Sequence, residues 1–304
     1  MKIVNLIEDT QGNNNCNIEH GLSFYIETPR HKLLFDLGAS DLFIQNAKKR
    51  NIDLADVDTV IISHGHYDHG GGLASFLHIN DKAKIYLRDT AFDDFYSLNH
   101  EPPKYIGLDK SLQGNERFVY IKDDLHRIDS ELVLFANMDS TNSPSANQQL
   151  KKTKDLIPDS FDHEQCLSIL AENQRILLSG CAHHGILNIL DKYKELFGKE
   201  PDVVISGFHM EKKSSYSDED INNIIDTALA LKKYSTRFYT CHCTGMAPYQ
   251  AMRKIMGNQL SYIHCGDEIK LKKKRNEYMK LHKLFAWGTV FCFAMTMVTG
   301  YKRK

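Results

Sequence analysis

The stretch His64-Gly65-His66-Tyr67-Asp68-His69-Gly70-Gly71-Gly72 decides how this chain is read. Four candidate ligands stand within six residues, just after a stretch, 57–62, that reads as a buried strand and before a run of glycines. Imidazole and carboxylate are donors that Zn, Mn or Fe accept. In extended backbone, residues two apart point the same way, so His64 and His66 can grip one ion. Asp68 and His69 leave the following turn in a different direction. Four such donors crowd a single tetrahedral ion and suit two adjacent ones. The glycines let the backbone come close and leave room for a substrate. A chance cluster drawn from the chain's 15 histidines would have no reason to fall at a strand-to-glycine junction.

Outward from this motif, residues 2–7, 22–28 and 31–36 read as short apolar strands separated by polar turns. Ser40 is placed to cap a helix over 41–50, and a short helix is expected near 71–77. Strands follow near 83–87, 118–121 and 131–135. The mixed stretch 88–117, with Pro102-Pro103, reads as a loop-rich lid, and the polar stretch 137–154 breaks the pattern. Substrate selectivity is expected in 88–117 and 137–165. Residues 166–170 and 175–179 suggest a hairpin. Residues 186–197 form an amphipathic helix stopped by Gly198. A strand at 203–206, a helix opened by Ser217, a strand at 238–240 and a helix over 246–256 complete the body, which 260–271 closes. Strands in two halves, each followed by helices, predict an α/β fold of two packed sheets with helices outside. No solenoid period, phosphate-binding glycine loop or nucleophile-elbow motif is present.

The 304 residues carry 38 Lys or Arg against 39 Asp or Glu, a formal charge of −1. That balance conceals a split. Residues 270–304 hold ten basic residues and one Glu, whereas 1–269 hold 28 basic and 38 acidic ones. An acidic body without a basic stripe argues against a nucleic-acid partner. Seven cysteines in no regular framework, and an N-terminus without a signal peptide, predict a reducing, cytoplasmic setting.

The motif HGHYDHGGG resembles the HxHxDH signature of the metallo-β-lactamase superfamily. The resemblance extends to a subgroup labelled 7,8-dihydropterin-6-methyl-4-(β-D-ribofuranosyl)aminobenzene-5′-phosphate synthase. It is carried by NLIEDT at 5–10, EHGLSFYIET at 19–28, LLFDLG at 33–38 and SHGHYDHGGGL at 63–73. It continues in SGCAHHGILN at 179–188, SGFHM at 206–210 and HCTG at 242–245, so it spans 2–271. Leu37 and Ser206 depart from the subgroup's usual LLFDTG and GGFHL without touching an expected ligand.

The resemblance implies a four-layer αβ/βα sandwich, catalytic domain 1–271, with metals at one edge between the sheets. It implies that His64, His66 and His183 hold one divalent ion, and Asp68, His69 and His242 the other. Zinc is the foremost expectation, with manganese or iron as alternatives. Cys181 stands where many superfamily members carry a bridging Asp, so it is either a ligand or a packing residue. Asp68 and His209 are the catalytic candidates, His209 as proton donor or holder of an anionic group. His184 is read as lying behind the ligands or facing solvent, Glu19 and His20 as a loop that can face the metals. Asp36 is read as a brace for the motif loop, and Cys241 and Cys243 as structural. The implied chemistry is a dinuclear-metal hydrolase in which a metal-bound hydroxide attacks a phosphoester or related ester of a small anionic metabolite. The subgroup label implies an alternative, joining a dihydropterin pyrophosphate to an aminobenzene ribosyl phosphate with loss of pyrophosphate. A non-catalytic ligand-binding protein and a nuclease are the rival classes.

Residues 284–301 contain no charged side chain and are bracketed by Lys283 and Lys302-Arg303-Lys304. As a helix, eighteen residues span roughly 27 Å, the lower limit for a bilayer. This predicts a basic linker at 272–283 and an apolar C-terminal helix anchoring a cytoplasmic catalytic body to a membrane. The alternative is a helix docked on the domain or forming an oligomer contact.

Overall fold

The computed structural model describes residues 1–141 and 143–271. Two seven-stranded mixed sheets pack face to face. The first runs Glu268–Ile269, Lys2–Ile7, Ser23–Glu27, Lys32–Phe35, Thr59–Ile61, Lys84–Arg88, Phe118–Ile121. The second runs Leu260–Tyr262, Arg237–Thr240, Val203–Ser206, Gln174–Leu178, Cys166–Ala171, Leu132–Phe135, Leu125–Arg127.

Alternation along the strands builds the layers. Leu33 and Phe35 point inward with Phe24 and Ile26, meeting Leu134, Leu167, Ile176 and Ile205 of the opposite sheet. Leu34, Val60 and Ile85 point outward beneath Phe43, Leu73 and Phe76 of the helices Leu42–Lys49 and Leu73–Ile79. On the far side, Leu177, Val204 and Phe238 are covered by Leu190, Ile224, Ala228 and Met252. Those residues belong to the helices Ile186–Phe197, Asp218–Leu231 and Met246–Met256. The result is the expected helix–sheet–sheet–helix sandwich.

The helix ends follow from local chemistry. Gly198 terminates its helix at φ 67°, a conformation that costs glycine nothing. Ser217 and Asp220 form a reciprocal capping box. The first helix starts at Leu42, one residue later than expected, and Asp41 at its N-cap position makes no side-chain cap bond. Ser40 supplies the expected cap instead: its hydroxyl accepts from Leu42 N and donates to Glu19. The helix expected near 71–77 is preceded by a separate turn, Tyr67–Gly70, and runs over Leu73–Ile79.

The stretches read as lid and pattern break are not merely loops. Phe95–Ser97, Lys104–Tyr105, Leu150–Lys152 and Ile157–Pro158 pair into a third, four-stranded sheet. Its strands are two or three residues long, too short to display a period of two. A small cluster of Phe95, Ile106, Leu150 and Phe161 holds it together.

Basic linker 272–283 and apolar segment 284–301, with the predicted C-terminal helix and membrane anchor, lie outside the described residues. Among the described residues, no helix is long and apolar enough to cross a membrane.

Away from the motif, His31 joins the two sheets' loops, its Nδ1 2.8 Å from Asp58 and its Nε2 3.1 Å from Asp129. Burial alone would lower its pKa, but the bonds to Asp58 and Asp129 outweigh this and raise it. A raised folded-state pKa gives stability that is complete below about 6.5 and fades as pH rises through the elevated value. Thermal melts of His31→Gln should therefore converge with wild type as pH climbs above 6.5. A gap between the two proteins that stays constant with pH would refute the assignment.

Candidate metal centre

The parallel strands of both sheets end along one edge, and the loops leaving them carry the polar residues. Such C-terminal strand edges are where open α/β sheets bind ligands. Asp36 follows Lys32–Phe35, the motif follows Thr59–Ile61, and Cys181 and His183 follow Gln174–Leu178. His209 follows Val203–Ser206, and His242 follows Arg237–Thr240. Asp36, Ala182, His209 and His242 all adopt positive φ, between 48° and 60°. For non-glycine residues this is strained backbone, which the packing around the strand ends must hold in place. Gly65 must be glycine, because a Cβ there would lie 2.3 Å from the Ala91 carbonyl oxygen.

Two donor sets converge. The donor atoms of His64, His66 and His183 lie within 4.8 Å of one another, with His64 Nε2 and His183 Nε2 3.3 Å apart. Beside them, Asp68 Oδ2 is 3.3 Å from His242 Nε2 and 3.7 Å from His69 Nε2. Donors sharing a tetrahedral ion with bonds near 2.0–2.3 Å stand about 3.3–3.8 Å apart. The Nε2 atom of His66 is buried and lacks any hydrogen-bond partner. Buried polar atoms left unpaired are costly, and a cation removes that cost. The residues therefore fit a metal centre.

A set of hydrogen bonds aims these rings. His69 Nδ1 donates to Asp36 Oδ2 at 2.7 Å, and His183 Nδ1 donates to Asn147 Oδ1 at 2.9 Å. His242 Nδ1 donates to Asp9 Oδ1 at 2.7 Å. Ser63 Oγ donates to Asp36 Oδ2 and so accepts from His64 Nδ1 at 2.9 Å. With the protons of His64, His69 and His183 on Nδ1, their Nε2 lone pairs face the centre, and His242 turns its Nε2 the same way. Glu164 accepts from the backbone N–H groups of His183 and His184 and from the His184 ring.

The electrostatics agree. Burial and the neighbouring imidazoles hold His64 and His183 well below the ordinary histidine pKa. Burial together with His163 pushes His66 down to about 3. All three therefore stay neutral, the form that ligates. Burial would lower His242 too, but Asp9 and Asp68 outweigh it and hold this ring well above the usual value. Asp68 is held well below the carboxylate range despite its burial, chiefly by His69 and then His242. This half of the centre calls for positive charge.

All six expected ligands are thus gathered at one place, and His209 stands beside them, its ring centroid 4.3 Å from that of His183. Asp36 braces the motif loop, accepting from Ser63 N as well as from His69. His184 is buried behind the ligands on Glu164. The two N-terminal loop residues separate. His20 Nε2 lies 3.5 Å from Asp68 Oδ2, whereas Glu19 turns away to hold Ala39 and Ser40. Cys241 packs in the core between the sheets. Cys243 does not: it lines the site cavity.

The sequence reading missed Asp9, Asn147, Glu164 and His163. Asp9 sits in NLIEDT, a motif quoted for resemblance without a role, and its side chain meets His242 across 233 residues of chain. Removing such a bracing carboxylate costs roughly 10–100-fold in metal affinity. Asp9→Asn should weaken binding at the Asp68–His69–His242 position by that amount and leave the other position intact. Titration of apo protein with a metal-competing dye measures this. Equal loss at both positions would contradict it.

Comparison with known proteins accords with the geometry. The metallo-β-lactamase superfamily model matches residues 17–219. The chain is 28% identical over 292 residues to the 7,8-dihydropterin-6-methyl-4-(β-D-ribofuranosyl)-aminobenzene-5′-phosphate synthase of Methanocaldococcus jannaschii, covering 89% of this chain and 96% of that protein. A crystal structure of a metal-dependent hydrolase of the β-lactamase superfamily is 28% identical and superposes with a TM-score of 0.75, covering 90% of this chain and 99% of the other. A metallo-β-lactamase-fold protein of Bacillus subtilis, 13% identical with a TM-score of 0.55, covers 89% of this chain and 100% of its own and shares the fold. With the motif, the layered sheets and the family match in agreement, the chain belongs to the metallo-β-lactamase superfamily.

Proposed function

We propose that this protein is a metal-dependent hydrolase acting on a phosphoester or related ester of a small anionic metabolite. The observation that carries the reading is the convergence of the His64–His66–His183 and Asp68–His69–His242 donor sets beside one cavity of about 660 Å³, which His66, Asp68, His183 and His242 line. Two divalent ions, zinc foremost, fit these sets, and when bound they supply Lewis acidity and activation of water.

The chain's own residues supply the rest. Lys104 and Lys213 give the cavity wall cationic groups, and Asn99, His100, Gln148 and Gln149 give it hydrogen-bonding ones. The Lys104 Nζ stands 4.6 Å from the Tyr67 ring centroid, so the ring steadies the ammonium at the mouth. The helix Ile186–Phe197 begins three residues after His183, placing its positive end where an anion is favoured. His209 lines the cavity beside His183 and serves as proton donor to the departing oxygen. The third sheet supplies much of the wall, so selectivity resides there.

A second reading has its own support in the 28% identity to the M. jannaschii synthase over 96% of that protein. Under it, the same cavity joins a dihydropterin pyrophosphate to an aminobenzene ribosyl phosphate. A panel of phosphomonoesters, phosphodiesters and lactones, run with Zn, Mn or Fe, tests the first reading. Turnover abolished by chelation and restored by metal is the expected result. Pyrophosphate release that requires both synthase substrates, with no ester turnover, would establish the second reading instead. No reaction in either assay, with metal tightly bound, would reject both.

A further inference from the structure

His163 stands beside the donor rings, its centroid 5.2 Å from that of His66 and 5.9 Å from that of His64, yet both of its nitrogens are engaged elsewhere. Its Nδ1 accepts from Gly65 N at 2.9 Å, and its Nε2 lies 3.2 Å from Asp159 Oδ2. Accepting at Nδ1 puts the ring's proton on Nε2, which donates it to the carboxylate. Neither nitrogen has a lone pair left for an ion. The side chains of both His163 and Asp159 are almost wholly buried.

What this pair holds is the soft point of the motif. Gly65 joins His64 to His66, and glycine has the widest choice of backbone angles. No stiffer residue fits there, because a Cβ would meet Phe95 Cε2 at 2.7 Å as well as the Ala91 carbonyl oxygen. Two ligands joined through a glycine have no rigidity of their own, so it must come from outside. The bond from Gly65 N to His163 supplies it. The His163 ring is fixed in turn on Phe95, with centroids 4.0 Å apart and planes at 36°. Asp159 is fixed by Phe161 N, which donates to its Oδ1 at 2.8 Å.

The residues after His163 repeat the pattern. Gln165 also faces the motif strand, its N donating to Ser63 O at 2.8 Å and its Nε2 to Ile62 O at 2.9 Å. Glu164 turns the other way, to the backbone N–H groups of His183 and His184. One short segment, 159–165, therefore grips both loops that carry the ligands of the first ion position.

We propose that His163, its tautomer fixed by Asp159, is a positioning residue that holds the Gly65 peptide and so presets the spacing of the His64 and His66 donors before an ion arrives. This rests on the reading that His64, His66 and His183 hold metal. Two variants separate the acceptor from the ring. His163→Asn keeps an oxygen acceptor where Nδ1 stands and gives up the ring. His163→Phe keeps a ring on Phe95 and gives up the acceptor.

Zinc titration of the full-length apo protein against a metal-competing dye tests this, with Asp68→Asn, expected to lose the second position, identifying the two steps. His163→Phe should weaken the His64–His66–His183 position by roughly 10–100-fold, the scale for losing a partner that orients a ligand, and leave the other position unchanged. His163→Asn should retain most of the affinity. Asp159→Ala should weaken the same position alone and add nothing to His163→Phe, since the two residues act as one unit. A His163→Phe protein that binds like wild type, or a His163→Asn protein as weak as His163→Phe, overturns the proposal and leaves the metal reading standing. Wild-type protein that takes up no zinc overturns the metal reading and the proposal with it. If the variants fail to fold, nuclear magnetic resonance of the wild-type apo protein decides. A scalar coupling between Gly65 N and His163 Nδ1, with the His163 proton on Nε2, is the expected result, and its absence until zinc is added overturns the proposal.

Discussion

Asp68→Ala is expected to lower turnover of a responsive ester by roughly 10³-fold or more, on the scale of losing a preorganised electrostatic contact. Asp68 Oδ2 lies between three imidazoles, 3.3 Å from His242 Nε2, 3.5 Å from His20 Nε2 and 3.7 Å from His69 Nε2. Removing the carboxylate takes away the anion that faces the Nε2 atoms of all three rings, while Asp9 and Asp36 remain on their Nδ1 atoms. Asp68→Asn separates shape from charge, since it keeps the volume and one oxygen but not the negative charge. Both variants should lose metal from the second position while keeping it at the His64–His66–His183 position. Metal analysis per chain, measured beside kcat/KM, gives the answer. Full metal content and turnover within a factor of a few of wild type in Asp68→Ala would sink the assignment.

The largest effect on stability is expected from Phe35→Ala. Phe35 is fully buried in the core between the sheets, among residues from both. Truncating a buried Phe costs about 3–5 kcal/mol through lost transfer energy and the cavity left behind. In a body of this size that lowers Tm by on the order of 10 °C. The site should suffer as well. Phe35 pairs with Ile61 in the parallel ladder, and the next residues along the two strands are Asp36 and Ile62-Ser63. A cavity beneath them loosens the Asp36–Ser63–His69 brace. Leu170→Ala is the control, because Leu170 is 54% exposed and its loss should leave Tm nearly unchanged. Equal melting of the Phe35 variant and the control would show that the inter-sheet core is not where stability resides.

Much of the fold was legible because its signals are local. The helices Ile186–Phe197 and Met246–Met256 stand where periodicity and Gly198 put them. The Cys166–Ala171 and Gln174–Leu178 hairpin turns at Glu172-Asn173, both at positive φ, as its polar turn residues suggest. The third sheet was not legible. Its strands are held by four scattered apolar residues rather than by a periodic stripe. The place of Cys243 at the site cavity was not legible either. A one-residue gap from Cys241 is too short for a zinc knuckle, yet Cys243 finds its company in Cys181, far away in the chain.

By itself the sequence determined the strand-to-turn geometry of residues 57–72, and so the pairing of His64 with His66 and of Asp68 with His69. Backbone periodicity and glycine placement act over a few residues and can be read there. Only the tertiary structure decided which distant groups complete and aim those donors. It brings Asp9 to His242, Asn147 to His183 and Cys181 between the two donor sets. Parallel strands of two separate sheets, ending along one edge, make these meetings. That alignment is set by packing over the whole inter-sheet core, and no short window of sequence encodes it.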